Sequence, residues 1–492
     1  MSSAGRKAQA AGLCLVVGWA ASAGLGFRAH AQQTAPAQKD AQQPGAQQPG
    51  APPDAQQPGA GAQVHTGTSS GLDADARIRN LLADHQFFQV ADELEQLPPE
   101  QAQLYRGILA NRNNDPRKSI QLLEPLVDKV AASGEPAHEK LLRKTLAEDY
   151  LREGDWAKAA RAYETLETRL QDKLTPDEQD EIEMPVKMLP LAAADPPMTV
   201  EPCEPFLMQV SKDPLGLTDI PVFVDAQPHS WMLDPTAPFN LIARSLAHEV
   251  GLKVSDEAVT IHTLTGKPMQ VHVTVIPRFT IGGRLTLHNM TAFVFEDADY
   301  FFPRTRYQVQ GVLGYAALQA LGSVRITADA TIEVHPGKDA DPPANDPPAA
   351  AGAKDPPATT GARFFLDGDQ VIVGLGSPGS ERMYVVDAGG QQSYLTSRYY
   401  DEHPRDFAGQ TQSLFSIPGD RSIAPQPAYV AETIPLDVGG TAVRAHYVQV
   451  LTQPLGSAAL DDVYGVLGID VLDQLRSYTF DYRTMRFTVG AE

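Results

Sequence analysis

Two stretches in the C-terminal half of the chain carry the same motifs in the same order. The first has WMLDPTA around Asp234 and, 77 residues after this aspartate, a GVLG block that begins at Gly311. The second has YVVDAGG around Asp387 and, 78 residues later, a GVLG block that begins at Gly465. Repeated order at repeated spacing predicts two copies of one structural unit, each with an aspartate at the same place.

The residues around these motifs follow a pattern typical of β-structure. Apolar and polar residues alternate in stretches such as 271–276 and 280–287, as they do in strands with one buried face. A segment rich in Pro, Ala and Asp, 337–361, separates two pieces of similar size, 200–336 and 362–492. We therefore predict two all-β units joined by a linker.

The region 71–175 has a helical pattern instead. Small residues and aromatics recur at Ala147, Tyr150, Gly154, Trp156, Ala159 and Tyr163. This spacing resembles a tetratricopeptide (TPR) helix pair, in which small residues let the helices approach and aromatics fill the space between them. Weaker copies lie at 107–123 and near 81–94. The predicted fold class is multidomain α + β, with TPR-like repeats before a two-unit β part; a plain helical bundle is the alternative for 71–175.

The N-terminus has the features of a secretory signal peptide over residues 1–31. Basic residues come first, an apolar run at 8–26 follows, and Ala29-His-Ala31 supplies a small-residue cleavage site. The next segment, 32–70, is rich in Gln, Pro, Ala and Gly and is predicted to be a disordered linker, because it has too little apolar surface to bury. We expect export to the periplasm or the medium, with no membrane span after cleavage; an uncleaved anchor is the alternative.

Charge and composition restrict the partners and cofactors. The formal net charge is −21, and loss of the three basic residues of 1–31 makes it −24 (37 − 61), which argues against binding to nucleic acid. Gly374–Gly379 matches G-x-G-x-x-G but leads into a predicted strand, which argues against a dinucleotide site. The histidines His262, His272 and His288 lack the spacing of metal ligands, so neither a cofactor nor a metal is predicted.

The duplicated units resemble the retropepsin/pepsin-type aspartic proteases, especially the bacterial single-lobe aspartyl protease family. Each lobe of that family has two apolar residues before Asp-Thr-Gly-Ala, then an IGG-x-LTL-x-N strand pair and a G-x-LG-x-D-x-L block. This chain supplies Leu233-Asp234, IGGRLTLHN from Ile281, and the two GVLG blocks. The resemblance covers residues 205–336 and 362–490, and it implies a bilobal acid-protease-like unit with a cleft between the lobes.

The resemblance implies that Asp234 and Asp387 are the catalytic pair. Two carboxylates about 3 Å apart share one proton, because two carboxyl groups at this distance cannot both be ionised. One oxygen then activates a water molecule and the shared proton polarises the peptide carbonyl, without a metal or a covalent intermediate. The protease unit would be monomeric and act on polypeptide or bind a protein partner. The residues implied to support the active-site loops are Thr236, Ala237, Gly389, Gly390, Gly314 and Gly468.

Two positions depart from the family pattern. The threonine after each catalytic aspartate is replaced by Pro235 and Ala388, whose side chains cannot form hydrogen bonds. The following glycine is kept as Gly389 but is Thr236 in the first lobe. A turn at Leu264–Pro268 is either a flap over the cleft or a plain surface turn.

Three functions therefore stay open. The first is an exported aspartic endopeptidase, which the two retained aspartates favour. The second is a catalytically impaired pseudoprotease that binds polypeptide through the cleft and the helical repeats, which the replaced threonines favour. The third is an envelope scaffold in which only the helical repeats matter, but this reading leaves the duplicated β units without a role.

Overall fold

The structure, a computed structural model, describes most of the chain after residue 67. The described residues are 68–193, 195–234, 237, 239–262, 268–337, 361–368, 370–377, 379–416, 425–455 and 458–490. The predicted signal peptide lies outside them, as do nearly all of the two predicted linkers and the turn residues 263–267. Pro235 and Thr236 also lie outside the described residues.

The N-terminal region is helical. Its helices are α1 (Thr68–Ala83), α2 (Phe87–Glu93), α3 (Pro99–Arg112), α4 (Pro116–Leu123), α5 (Val127–Ser133), α6 (Pro136–Arg152), α7 (Trp156–Leu170) and α8 (Pro176–Ala192). Single 3-10 turns follow α2, α4 and α7 at Leu94–Gln96, Glu124–Leu126 and Gln171–Lys173. No helix in the described part of the chain is long and apolar enough to cross a membrane.

One turn geometry joins α1 to α2, α3 to α4 and α6 to α7. A residue with left-handed backbone ends the first helix of each pair: His85 (φ 55°), Asn114 (φ 58°) and Gly154 (φ 74°). The next N–H group then donates to the carbonyl oxygen five residues earlier, at 2.7–2.9 Å in all three turns. This is the hydrogen bond that closes a helix C-terminus through a left-handed residue. The predicted helical character of the region is confirmed, while its assignment to TPR repeats stays a prediction.

The helical region continues past residue 175, where the sequence pattern placed its end. Thr175 and Glu178 form a reciprocal capping box that starts α8. The helix then runs through Pro185 and Pro190. Prolines in a helix interior remove a hydrogen bond and usually end the helix, so the sequence pattern does not predict α8.

The rest of the described chain consists of two β-rich parts, which we call the first and second β halves. The first contains β1 (Thr199–Val200), β2 (Phe206–Gln209), β3 (Ser211–Lys212), β4 (Thr218–Val224), β5 (Gln227–Leu233), β6 (Asn240–Ala243), β7 (Val259–His262), β8 (Pro268–Ile281), β9 (Leu285–Phe295), β10 (Phe301–Phe302), β11 (Tyr307–Gln308), β12 (Gly311–Leu313), β13 (Ser323–Thr327) and β14 (Thr331–His335). The second contains β15 (Ala362–Asp367), β16 (Gln370–Leu375), β17 (Arg382–Val386), β18 (Tyr394–Leu395), β19 (Ser413–Phe415), β20 (Gln426–Val438), β21 (Thr441–Leu451), β22 (Gly465–Leu467), β23 (Ser477–Asp481) and β24 (Arg486–Val489). Short helices lie between strands: α9 (Arg244–Glu249), α10 (Tyr315–Leu321), α11 (Ser397–Glu402), α12 (Ala458–Asp461) and α13 (Ile469–Leu472). The predicted combination of a helical region and a β-rich C-terminal part is confirmed.

The strands pair in the same way in both halves. The sheet of the first half has the order β1-β9-β6-β12-β5-β4-β8-β7, and β8 also pairs with β9. A larger sheet has the order β19-β20-β21-β18-β22-β17-β16-β15-β24-β23-β13-β14-β2. In each half a GVL strand lies parallel to the strand before the aspartate and antiparallel to the strand after it. Each aspartate loop is therefore held by three neighbouring strands whose residues next to the loop are buried.

The larger sheet crosses from one β half to the other. Strand β13 of the first half pairs antiparallel with β23 of the second, and Arg325 lies opposite Thr479. These two residues are 154 positions apart (479 − 325), as are Gly314 and Gly468 of the GVLG blocks (468 − 314). Antiparallel strands that place equivalent residues opposite each other are related by a local twofold axis. At this pairing, equivalent strands of the two halves are thus related by a local twofold axis.

A buried ion cluster joins the helical region to the second β half. Asp367, the last residue of β15, has its carboxylate oxygens 2.9 Å from Arg112 Nη2 and 2.9 Å from His85 Nδ1. Arg112 Nη1 lies 3.0 Å from Glu148 Oε2. Burial raises the pKa of Asp367, but the charge of Arg112 and the hydrogen bond and charge of His85 outweigh it and lower this pKa to about 2.

The second helical turn contacts both β halves at once. Asn114 accepts hydrogen bonds from the Tyr315 hydroxyl (2.7 Å) and from Gln319 Nε2 (3.0 Å), both on α10. Its amide donates to the backbone carbonyl of Tyr482 in the second half (3.3 Å). Because Tyr315 directly follows Gly314, the helical region is attached one residue away from a GVLG block.

Candidate active site

The first aspartate loop, between β5 and β6, is held by backbone hydrogen bonds. The Asp234 N–H donates to the carbonyl of Leu313 in β12 (3.1 Å), and the Ala237 N–H donates to the carbonyl of Asp234 (3.2 Å). The Tyr315 N–H, at the start of α10, then donates to the carbonyl of Ala237 (2.7 Å). The GVLG block and the helix after it therefore fix the loop from both sides.

The second aspartate loop, between β17 and β18, has the same three bonds. The Asp387 N–H donates to the carbonyl of Leu467 (2.9 Å), and the Gly390 N–H donates to the carbonyl of Asp387 (3.2 Å). The Ile469 N–H donates to the carbonyl of Gly390 (2.7 Å). The two aspartates thus occupy matched backbone environments.

Gly314 and Gly468 pack directly against these loops. The Gly314 N–H donates to Asn240 Oδ1 (3.1 Å), and the Gly468 N–H donates to Ser393 Oγ (2.7 Å). A Cβ atom on Gly314 would lie 2.6 Å from a carbonyl oxygen of the first loop, and one on Gly468 would lie 2.9 Å from a carbonyl oxygen of the second. Contacts this short leave no room for a side chain at either position.

The two aspartate loops meet at Gly389. A Cβ atom on Gly389 would lie 2.6 Å from Asp234 Cγ and 2.7 Å from Asp234 Oδ2. One on Gly390 would lie 2.7 Å from Asp387 Cγ. The second loop therefore presents bare backbone to the carboxylate of the first. Asp234 and Asp387 both have no exposed surface, so the structure brings the two predicted acids into one buried region.

The structure describes some of the other predicted support residues and not others. Ala237 is fully buried and lies in the hydrogen-bonded chain of the first loop. Ala388, which replaces the family threonine, is 1% exposed and has an apolar side chain. Thr236 lies outside the described residues. The candidate flap at 264–268 lies mostly outside them too, although the strands that flank it, β7 and β8, pair antiparallel.

Two tyrosines that no sequence motif marks lie near Asp234. Tyr300 is 6% exposed and Tyr482 is 4% exposed. Burial raises the pKa of both phenols, and the negative charge of Asp234 adds to the increase, together with Asp299 for Tyr300 and Tyr315 for Tyr482. Both tyrosines come from segments far from Asp234 in sequence, so only the fold reveals their proximity.

A second acidic pair lies beside the first aspartate loop. Asp219 in β4 is opposite Met232, two residues before Asp234, and antiparallel partners point their side chains to the same face of the sheet. Asp213 is in the preceding turn. Both are at least nine-tenths buried, and the nearby Tyr307 hydroxyl lowers the pKa of each, which burial raises.

This acidic pair also lies near the second aspartate loop. Asp213 Oδ1 accepts from the N–H groups of Leu215 and Leu217, both at 2.8 Å, and so closes the turn between them. The amide of Gln391 in the second loop donates to the carbonyl of Leu215 in that turn. The position of Asp219 is taken in the second β half by Ile372, which is fully buried, so the fold itself does not require an acid there.

Asp219→Asn is expected to change how stability depends on pH. Burial, and then the charge of Asp213, raise the pKa of Asp219 to about 7, although the Tyr307 hydrogen bond lowers it. An acid whose pKa is raised on folding favours the unfolded state as pH rises from its unfolded pKa, about 3.9, to its folded one. The variant should lose this slope, which is at most about 1.4 kcal/mol per pH unit. Urea unfolding of both proteins between these pH values measures it; parallel curves would contradict the assignment.

The described residues contain no group of three or more His, Cys, Asp or Glu side chains that could bind a metal ion. The arrangement that they do contain is two buried aspartates on matched loops, with bare glycine backbone between them and tyrosines beside one of them.

Comparison with known proteins finds an aspartic-protease family in part of the first β half. Residues 220–317, which include Asp234 and Gly314, match the family model described as aspartyl protease. A comparison with curated proteins gave no match. Among solved structures, a retropepsin-like aspartic protease from Rickettsia conorii matches with 17% identity over 28% of this chain and 96% of that chain, with a TM-score of 0.20. At the level of the family, the resemblance to aspartic proteases that the sequence predicted is supported, and it rests on the first β half.

Proposed function

We propose that the protein is an aspartic endopeptidase in which Asp234 and Asp387 together activate a water molecule for attack on a peptide bond. The observation that carries the proposal is the contact between the two aspartate loops, where Gly389 abuts the carboxylate of Asp234. The family match over 220–317 supports the same chemistry for the first loop.

The chemistry follows from two acids in one buried place. Two buried carboxylates that lie next to each other cannot both be charged, so one proton is shared between them. The ionised oxygen takes a proton from water while the shared proton is given to the peptide carbonyl oxygen. The pair titrates as a unit, and neither aspartate alone has the pKa that governs the rate. Mildly acidic pH, which keeps the shared proton in place, is the expected optimum.

In the proposed arrangement, each β half is one lobe and the cleft lies between them. The pairing of β13 with β23 about the Arg325–Thr479 position supports this, because it relates the halves as a dimer axis relates subunits. A single chain then supplies both aspartates, so the proteolytic unit would be a monomer. In addition, the signal-like features of residues 1–31 support export to the periplasm or the medium. The substrate would be unfolded polypeptide.

A second candidate is a pseudoprotease that binds polypeptide without cutting it. Ala388 favours this function, since its buried methyl group cannot make the hydrogen bond by which the family threonine supports the loops. Pro235 has the same consequence in the first loop. Misplacement of a catalytic group by about 1 Å can cost about 100-fold in rate. The helical pairs, if they act as TPR-like repeats, would add surface for the same polypeptide.

Cleavage and binding assays on the chain from residue 32 separate these functions. The protein is incubated with an unfolded polypeptide such as β-casein at mildly acidic and at neutral pH, with and without a peptide that carries a statine-type hydroxyl in place of the scissile bond. An endopeptidase should cleave faster at acidic pH and be inhibited by this peptide, which mimics the tetrahedral intermediate. Binding of the peptide without cleavage would favour the pseudoprotease. If the protein neither binds the peptide nor cleaves the polypeptide, both functions are ruled out.

A further inference from the structure

We propose that Arg152, the last residue of α6, is a positioning residue for Asp234, which makes the helical region part of the catalytic unit. The inference rests on the proposed function, because it concerns the geometry of the catalytic pair. Arg152 makes for the first aspartate loop a contact that the second loop makes with a side chain of its own.

The second aspartate loop reaches across to the first β half. Gln391, four residues after Asp387, donates from its side-chain amide to the carbonyl of Leu215. Leu215 lies in the turn between β3 and β4, and the carboxylate of Asp213 closes this turn by accepting from two of its N–H groups. The turn of one half is therefore tied directly to the aspartate loop of the other.

The first aspartate loop has no side chain for the same contact. Its residue four positions after Asp234 is Pro238, and proline has no side-chain donor. The acceptor that corresponds to Leu215 is found by counting back from each aspartate. Leu215 precedes the first aspartate by 19 residues (234 − 215), and Gly368 precedes the second by 19 as well (387 − 368). The carbonyl of Gly368, between β15 and β16, therefore takes the place of the Leu215 carbonyl.

The helical region supplies a donor to this carbonyl. Arg152 Nη2 donates to the carbonyl of Gly368 (2.5 Å), and Nη1 donates to the carbonyl of Asn111 in α3 (2.6 Å). Asn111 is itself fixed, because its amide donates to Asp149 (2.8 Å) and both residues are fully buried. Arg152 is buried too, and a buried charge is costly unless hydrogen bonds compensate for it. These bonds therefore hold the guanidinium in one place.

Both Gly368 and Arg152 lie at the first aspartate loop. Gly368 and Phe239, which follows the first aspartate by five residues, line the same small cavity. The Arg152 guanidinium lies 5.9 Å from the centre of the Tyr315 ring. The N–H of Tyr315 in turn donates to a carbonyl of the first loop (2.7 Å). Loss of the Arg152 side chain therefore removes support from the turn beside the loop and from the start of α10 at once.

The repeated helical pairs account for an arginine at this position. Arg152 and Arg112 are 40 residues apart (152 − 112), and each is the last residue of the first helix in its pair. Arg112 lies 2.9 Å from the carboxylate of Asp367, and Arg152 donates to the next residue, Gly368. Two helical pairs thus hold adjacent residues of the second β half, and the Arg152 pair does so next to the first aspartate loop.

Arg152→Met removes both hydrogen bonds, keeps a long apolar side chain and tests the proposal. The substrate is a peptide that contains a β-casein sequence cleaved by the wild type. The kcat should fall about 10- to 100-fold, because misplacement of a catalytic group by about 1 Å can cost about 100-fold. KM should stay within about twofold, since Arg152 acts through the loop and not on the substrate. Arg152→Lys keeps the charge and a donor, so it should recover part of the lost kcat. An unchanged kcat in Arg152→Met, or a loss confined to KM, would overturn the proposal.

Arg143→Met is the matched control. Arg143 lies on the same helix, and its Nε donates to Glu139 within the helical region (2.8 Å). This variant should cleave with the wild-type kcat, and a loss as large as that of Arg152→Met would overturn the role of Arg152. Thermal unfolding followed by circular dichroism shows which variants are folded at the assay temperature. If Arg152→Met is not folded, Arg152→Lys decides: a kcat below that of the wild type supports the proposal, and an equal kcat overturns it.

Binding of the statine-type peptide separates failure of this inference from failure of the proposed catalysis. If the wild type binds this peptide but does not cleave, the endopeptidase is refuted. Arg152→Met should then still weaken binding about 10- to 100-fold, because affinity for a mimic of the tetrahedral intermediate depends on the placement of both acids. Unchanged binding in that variant would overturn the Arg152 inference. A wild-type protein that neither binds nor cleaves would overturn both.

Discussion

Replacement of either Asp234 or Asp387 by asparagine is expected to reduce cleavage of an unfolded polypeptide by about 100- to 10,000-fold, the range for general acid–base groups. An amide cannot hold or release the shared proton, and the proposed mechanism needs both acids. The two variants should therefore lose similar amounts, although only the first lies within the family match. Initial cleavage rates of both variants at the pH optimum measure the effect.

Folding must be checked in the same variants, because both aspartates are fully buried. The wild type must keep one proton on the pair because the two carboxylates cannot both ionise, and an amide at either position removes this requirement, so neither variant should be less stable than the wild type near neutral pH. Asp225→Asn is the control: this exposed residue lies in the turn between β4 and β5 with φ 46°, a conformation that asparagine tolerates. Cleavage at the wild-type rate by either catalytic variant would rule out the proposed mechanism.

Asp367→Ala is expected to lower the free energy of unfolding by about 3–5 kcal/mol, the cost of breaking a buried ion pair from one side. The substitution leaves the guanidinium of Arg112 buried and next to His85 without their shared carboxylate. It should also loosen the helical region from the second β half, since Asp367 at the end of β15 contacts both His85 and Arg112 of that region. Urea unfolding followed by circular dichroism gives the free energy, and limited proteolysis reports the loosening.

The pH dependence of the same variant has a defined sign. The pKa of Asp367 is lowered to about 2 on folding, so its stabilising contribution is complete above the unfolded pKa, about 3.9, and is lost as pH falls towards 2. The difference in stability between wild type and variant should therefore shrink in that interval. Glu100→Ala removes an exposed pair with Lys129 and should cost no more than about 1 kcal/mol. Equal costs for the two variants would argue against the buried cluster.

The duplicated motifs predict the matched aspartate loops because the interactions that shape them are local or lie within one repeated unit. The GVLG block carries the glycine that touches the loop and the residue that accepts the Asp N–H, so its position in sequence reveals its role. The helical pairs are equally visible, since small residues and aromatics at helical spacing mark the turns at Asn114 and Gly154. In contrast, the prolines inside α8 hide a helix whose stability comes from its cap and its packing.

The residues that sequence reasoning misses are those whose partners come from elsewhere in the chain. Tyr300 and Tyr482 carry no motif, and only in the folded chain does the charge of Asp234 act on both. Asp219 reads as an ordinary polar residue at the start of a strand until its register with Met232 is known. Asp367 carries no motif either, because its partners Arg112 and His85 belong to a different region of the chain. Long-range burial, which no local pattern records, decides each of these roles.

The sheet that spans both halves has a consequence for the covalent continuity of the molecule. The five residue pairs of β13 with β23 are backbone contacts between the two halves that do not depend on the peptide segment 338–360, which is rich in proline and alanine. A molecule nicked in that segment should therefore stay associated, as the two chains of a noncovalent dimer do. Separately expressed fragments that end and begin there would be expected to reassemble, so that a peptide-bond break between the two aspartates need not inactivate the protein.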